Sequence, residues 1–194
     1  MPALLIVCEG RETEPNYLRG LCEAHCINGA NVIIIAGNEE TDAVRLVQRA
    51  RRRFDIDRDF DAVFVICDCA GEDLARARKE AAKPLRNVGG KVLTVELILN
   101  RPSFEFWLLL HFEYAARYLS TAASVIDLLR RHVTDYAKSD REIFAKVQTG
   151  FDRAIGNAAR LKAELVANDA DSPDTDMPKL VEKLMTLRRP DRFR

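Results

Sequence analysis

Glu9 and Asp68 hold equivalent places in two separate stretches of the chain. Each closely follows an apolar run: Leu-Leu-Ile-Val at 4–7 precedes Cys8-Glu9-Gly10, and an apolar, β-branched stretch at 61–67 precedes Asp68. Short continuous apolar runs bounded by turn signals read as strands buried on both faces. In open α/β sheets, functional groups collect just beyond the carboxyl ends of such strands. Two carboxylates brought to one sheet edge suit a hard divalent cation, Mg²⁺ or Mn²⁺. Such an ion takes one or two carboxylates and keeps positions for water and phosphate oxygens. It stabilises charge on a transferring phosphoryl group and activates water. Gly10 allows a sharp turn after Glu9, and Arg11 is placed to meet a phosphate.

Other chemistry-bearing residues have plainer readings. Thr13 and Glu14 flank a helix start, where capping and compensation of the helix dipole account for them, and contact with the site or its substrate is their alternative role. Glu105 sits in a very apolar helix, so its charge must be paired, solvated at the helix start, or functional at the same edge as Glu9. His111 lies one turn beyond Trp107 on an apolar face, the usual position of a hydrogen-bonded core histidine. Cys22, His25 and Cys26 lack a second pair of ligands at zinc spacing, and the odd total of five cysteines has no secreted-scaffold pattern, so packed, reduced thiols are expected. Arg45, Arg49, Arg51, Arg52 and Arg53 on one helix, and Arg76, Arg78, Lys79 and Lys83 on the next, read as solvated faces or ion-pair partners. Phosphate-backbone contact is their alternative role.

These residues need elements to hold them. Apolar strand patterns at 4–7, 32–36, 61–67 and 91–99 alternate with helical patterns, the order of an α/β fold with a mostly parallel four-stranded sheet flanked by helices. Pro15 suits the first turn of a helix running to about His25. Thr41 is the expected cap of the next helix, and a charged helix covers about 73–82. From Pro102 onward the pattern is helical: one very apolar helix, then 124–132, 140–167 and about 178–187, with a polar loop at 168–176 and a basic tail. A nominal boundary near residue 115 separates a sheet domain, 1–115, from a helical C-terminal extension, 116–194, packed on it. Hydrophobic content of 47% with 31% charged residues excludes wholesale disorder. No apolar run approaches membrane-spanning length and no signal-peptide pattern opens the chain, so a cytoplasmic protein without membrane partners is expected. With 30 basic and 30 acidic side chains there is no net field to attract nucleic acid, and any such binding needs a local patch.

Residues 4–18, Leu-Leu-Ile-Val-Cys-Glu-Gly-Arg-Glu-Thr-Glu-Pro-Asn-Tyr-Leu, resemble the opening of RloB-like proteins. The likeness continues through 61–68, the block from Arg101-Pro102-Ser103-Phe104-Glu105 to Phe112, Tyr136-Ala137-Lys138, 154–161 and Pro173-Asp174-Thr175-Asp176. The resemblance implies a Toprim-like fold in a bacterial abortive-infection or antiviral defence setting. It implies a metal-dependent nuclease edge, with a glutamate after the first strand and an Asp-x-Asp pair after a later one binding Mg²⁺. Glu9 matches the glutamate and Asp68 the first aspartate. Ala70 stands where the second is expected, and Glu72 or Asp73, beyond Gly71, are the candidates to fill its place. Asn100-Arg101 stands where a Ser-Asn pair is expected. Glu105 supports the site, and Arg11 and Arg101 are the candidate phosphate contacts for a DNA or RNA substrate. The alternative is a non-catalytic sensor or partner subunit with a degenerate metal site, since RloB-like proteins are commonly associated with an ATPase encoded alongside.

Overall fold

The computed structural model describes residues 2–38, 42–68, 71–115, 119, 121–168 and 172–188, with Gly71 and Glu72 described by backbone only. The expected cap Thr41, together with Cys69, Ala70, the Glu72 side chain and the tail from 189 onward, lies outside the described residues.

The first strand, β1 (Leu4–Cys8), is buried along its whole length and pairs in parallel with β2 (Val32–Ile35) and β3 (Ala62–Cys67). β3 in turn pairs in parallel with β6 (Val95–Arg101). The main sheet has five strands rather than four, in the order β2-β1-β3-β6-β7. Its extra member, β7 (Asp174–Thr175), runs antiparallel to the end of β6 and lies inside the segment read as a polar loop. The strand expected at 91–99 divides. Val92–Leu93 (β5) forms a small hairpin with Leu85–Arg86 (β4), and the chain joins the main sheet only from Val95.

Alternate side chains of a strand face opposite sides, and both sides are covered. Leu4, Ile6, Cys8, Phe64 and Ile66 face a layer built from α1 (Thr13–Ala24), α4 (Phe104–Leu110), α5 (Ala122–Leu129), α6 (Ile143–Val147), α7 (Phe151–Ala167) and α8 (Met177–Met185). Leu5, Val7, Val63, Val65 and Cys67 face α2 (Ala43–Asp57) and α3 (Gly71–Ala81). Asp42 caps α2, its Oδ1 accepting from Val44 N at 2.8 Å. α1 starts two residues before Pro15, at Thr13. The helix expected over 140–167 breaks at a 3₁₀ turn, Gln148–Gly150, which lets Phe144 and Phe151 join one aromatic cluster with Tyr17, His25 and His111.

All seven residues of α4 are buried. Full burial of a Leu, Phe or Met side chain contributes roughly 1.5–3 kcal/mol, and that sum lets α4 carry polar groups inside. His111, at its end, is one. His111 Nδ1 donates to Trp107 O (3.0 Å), which leaves Nε2 to accept from Tyr17 OH (3.2 Å). Burial pushes this imidazole down to about 4, so it is a neutral core group. Among the described residues no helix is long and apolar enough to cross a membrane.

Candidate functional site

The parallel register sets the site. β1 ends at Cys8 and β3 at Cys67, with Cys8 opposite Ile66, so Glu9 and Asp68 leave the sheet at the same edge. Glu9 N donates to Ile66 O (3.1 Å), which continues the ladder one residue past β1. The Glu9 side chain then turns toward β3, where its Oε2 accepts from Asp68 N at 2.8 Å. The Glu9 carboxylate is therefore tied directly to the Asp68 backbone.

The turn after Glu9 is close-packed. Gly37 N donates to Gly10 O (2.8 Å), and a Cβ on Gly37 would fall 1.7 Å from Glu9 O. Gly10 N donates to Glu14 Oε1 (3.0 Å), and a Cβ on Gly10 would fall 1.7 Å from Glu14 Oε2. Gly37 thus lets the chain close on the turn, and Gly10 admits a third carboxylate. Glu14 is 4% exposed, and it bonds inward to the Gly10 turn instead of capping α1.

α4 supplies the fourth. Glu105 is also buried. Ser103 Oγ donates to its Oε2 (2.7 Å) and Tyr136 OH to its Oε1 (3.0 Å), with Lys138 Nζ at 3.5 Å. Tyr136 and Lys138 lie on the connection 130–142 between α5 and α6. Thr13 Oγ1 ties that connection to α1 by donating to Lys138 O (3.0 Å). Glu9, Glu14, Asp68 and Glu105 line one cavity of about 360 Å³, together with Arg11, Glu12, Thr13 and Lys138.

Carboxylates crowded at a half-dry edge resist ionisation, and Glu9, Glu14 and Asp68 all do so. Burial, then the charges of Glu14, Glu9 and Glu105, push Asp68 up to about 8. Burial is the main cause that raises Glu14 to about 7, with Glu105 and Glu9 adding to it. Glu9 is raised by burial, against the lowering effects of the Asp68 N–H and Lys138. Asp68 Oδ1 is sealed from solvent without a hydrogen-bond partner. A carboxylate oxygen so placed calls for a cation or a proton.

The donor chemistry fits a hard divalent ion: five oxygen-bearing acids, one of them with an orphaned oxygen, and, among the described residues, no competing thiol or imidazole in the cavity. Among the described residues no group of three His, Cys, Asp or Glu side chains already sits at ligating distance. An ion held by Glu9 and Asp68 would therefore complete its shell with water and substrate oxygens. The same absence covers Cys22, His25 and Cys26. Cys22 is packed in the core, where burial raises its thiol to about 11, and Cys26 is exposed.

Other sequence candidates lie elsewhere. Asp73 is on the exposed side of α3, 3.6 Å from Arg76, and does not line the cavity. Arg101 turns to Asp174 (3.3 Å) in a network with Lys162 and Asp176, away from the carboxylates. Arg11 does reach the cavity, its Nε donating to Asn38 O at 3.4 Å. Of the two roles open to Glu14 from sequence, the structure shows it turned into the cavity, and Lys138 joins the lining without a role expected from sequence.

The family model described as RloB-like protein matches residues 4–184, nearly the whole chain. The chain belongs to the RloB-like family. No curated protein and no solved structure matches it. Within this RloB-like chain, the matched span includes every residue of the acidic cavity and the segment 130–142 that overhangs it.

Proposed function

We propose that this RloB-like protein is a Mg²⁺- or Mn²⁺-dependent phosphodiesterase of the nuclease type, working in prokaryotic defence. The carrying observation is the convergence of Glu9, Glu14, Asp68 and Glu105 on one cavity that also presents Lys138 and Arg11. Family membership supports the defence setting. When bound, a divalent ion supplies charge neutralisation at the phosphoryl group and a more acidic water.

The chain's own groups have separable tasks. Glu9 and Asp68 hold the ion, with Glu9 steadied by the Asp68 N–H. Glu14, raised to about 7, suits proton exchange with water or a leaving group near neutral pH. Glu105, fixed by Ser103 and Tyr136, holds Lys138 over the cavity mouth, where that ammonium meets a non-bridging phosphate oxygen.

The test uses purified protein with Mn²⁺ or Mg²⁺ and plasmid, single-stranded DNA and RNA as separate substrates. Glu9→Gln is expected to reduce cleavage by at least about a hundredfold, the scale of losing one organised charge-stabilising group. Cleavage that persists at the wild-type rate would remove Glu9 from the mechanism.

A second reading keeps the family and drops the chemistry: a sensor or partner subunit of a defence ATPase. It is favoured by Ala70, where the resemblance expects a carboxylate. The two readings part on whether the cavity binds metal.

A further inference from the structure

Beside the acidic cavity runs a second groove of about 440 Å³, which shares Arg11 and Glu12 with it. One wall is a face of α1, on which Asn16, Arg19 and Glu23 recur at helical spacing. The other wall is Arg141, on the same connection that brings Lys138 over the acids. Asn16 joins the two walls: its Nδ2 donates to Asp140 O (3.2 Å), and Arg19 Nη1 donates to Asn16 Oδ1 (3.3 Å).

Arg19 and Arg141 make no ion pair among the described residues. On the other face of the sheet two of the α2 arginines are engaged, Arg51 with Glu80 (3.8 Å) and Arg53 with Asp57 (2.5 Å). Arg19 and Arg141 are therefore cations beside the cavity that an outside anion can engage. Glu12 and Glu23 stand between them, so the groove offers spaced cationic points instead of a uniform field. Spaced points match phosphates along a backbone better than one compact anion. The groove's volume is that of a small-ligand pocket, a scale nearer to one strand than to a duplex. Among the described residues no aromatic side chain lines it, so recognition is of the backbone and not of stacked bases.

We infer that this groove carries a single-stranded polynucleotide away from the acidic cavity, its phosphates resting on Arg11, Arg19 and Arg141. That the strand continues into the cavity rests on the phosphodiesterase reading; the groove's capacity to bind does not.

Binding is therefore measured without catalysis, in EDTA, by fluorescence anisotropy of fluorescein-labelled oligo(dT) and oligo(rU), each about 12 nucleotides long. For the better-bound probe, the full-length Arg19→Ala/Arg141→Ala double variant is expected to bind about tenfold more weakly. Its slope of log affinity against log salt should be shallower by about 1.4, the value for two lost contacts to a single strand. Arg19→Lys/Arg141→Lys should recover most of the affinity, and Arg52→Ala on α2 should stay within about twofold of wild type. The inference is overturned if wild type binds neither probe or if the double variant binds like wild type. It is equally overturned if Arg52→Ala loses as much, or if a duplex of the same length binds more tightly than either strand. Metal-dependent cleavage is assayed separately, so a protein that binds through the groove and never cuts refutes the phosphodiesterase reading alone.

Discussion

Asp68 combines two features that belong together: an oxygen sealed from water without a partner, and a carboxyl raised from 3.8 to about 8 by burial and by three neighbouring acids. The folded protein thus keeps a proton that the unfolded chain releases near pH 4. Below that pH both states are protonated and nothing is lost. Between about pH 4 and pH 8 only the unfolded chain ionises, so stability drains away as pH rises, and above pH 8 the loss is complete. Glu14, raised to about 7, acts with the same sign over a narrower window. Asp68→Asn keeps the shape and removes the titration. Its melting temperature should match wild type at pH 4 and exceed it at pH 8.5 by roughly 10 °C or more. One pKa unit is worth about 1.4 kcal/mol, and 1 kcal/mol shifts Tm by roughly 2–4 °C in a chain of this size. Thermal melts of both proteins at the two pH values decide it, and parallel curves would mean that Asp68 is ionised in the fold without penalty.

Between elements, the edge is kept in place by β7. Thr175 Oγ1 donates to Asn100 Oδ1 (2.7 Å) and accepts from Met177 N (3.1 Å), joining the ends of β6, β7 and α8 in one buried link. Thr175→Val keeps the volume and strands the Asn100 carbonyl, which should cost about 1–3 kcal/mol. Denaturant titration should show the lower midpoint, and Thr175→Ser should restore most of it; equal midpoints for all three would show that the link carries no stability. β7 also marks the limit of what sequence displays. β1 and β3 were legible because strands buried on both faces must be continuously apolar, and that placed Glu9 and Asp68 together at one edge. A two-residue strand has no period to read, and its polar side chains resemble a loop until Asn100 and Arg101 are seen opposite them. The split of 91–99 and the break at Gln148–Gly150 are likewise decided by what packs nearby. Glu14 was hidden because an acid in a helix's first turn already has a local reason to be there; only the close approach of Gly10 shows it turned inward. Lys138 has no local signal, since its place depends on how 130–142 folds back over α1.

Across the whole molecule the zero net charge is unevenly arranged. The acids of the cavity lie on the α1 and α4 side of the sheet, and the arginine-rich α2 lies on the other, so its cations do not neutralise the cavity. That separation leaves the carboxylates repelling one another, with Lys138 and Arg11 as the cations that line their cavity. A divalent ion that binds only the folded protein relieves the repulsion and stabilises by mass action, about 2.7 kcal/mol at a hundred times its Kd. Near-saturating Mn²⁺ should therefore raise Tm by roughly 5–10 °C at pH 8. The ion competes with protons for Asp68 and Glu14, so the rise should be clearly smaller at pH 6. Asp68→Ala should abolish it at both pH values, because that substitution removes the orphaned oxygen the ion would satisfy. Differential scanning fluorimetry across a Mn²⁺ series measures all three. A wild-type protein whose Tm ignores Mn²⁺ at pH 8 would leave Ala70 as the better guide and assign the chain to the partner-subunit reading, with the acidic cavity as a relic of metal binding. A rise lost with Asp68 but insensitive to pH would keep the metal and discard the raised carboxyls, separating the ligand role of Asp68 from its unusual protonation.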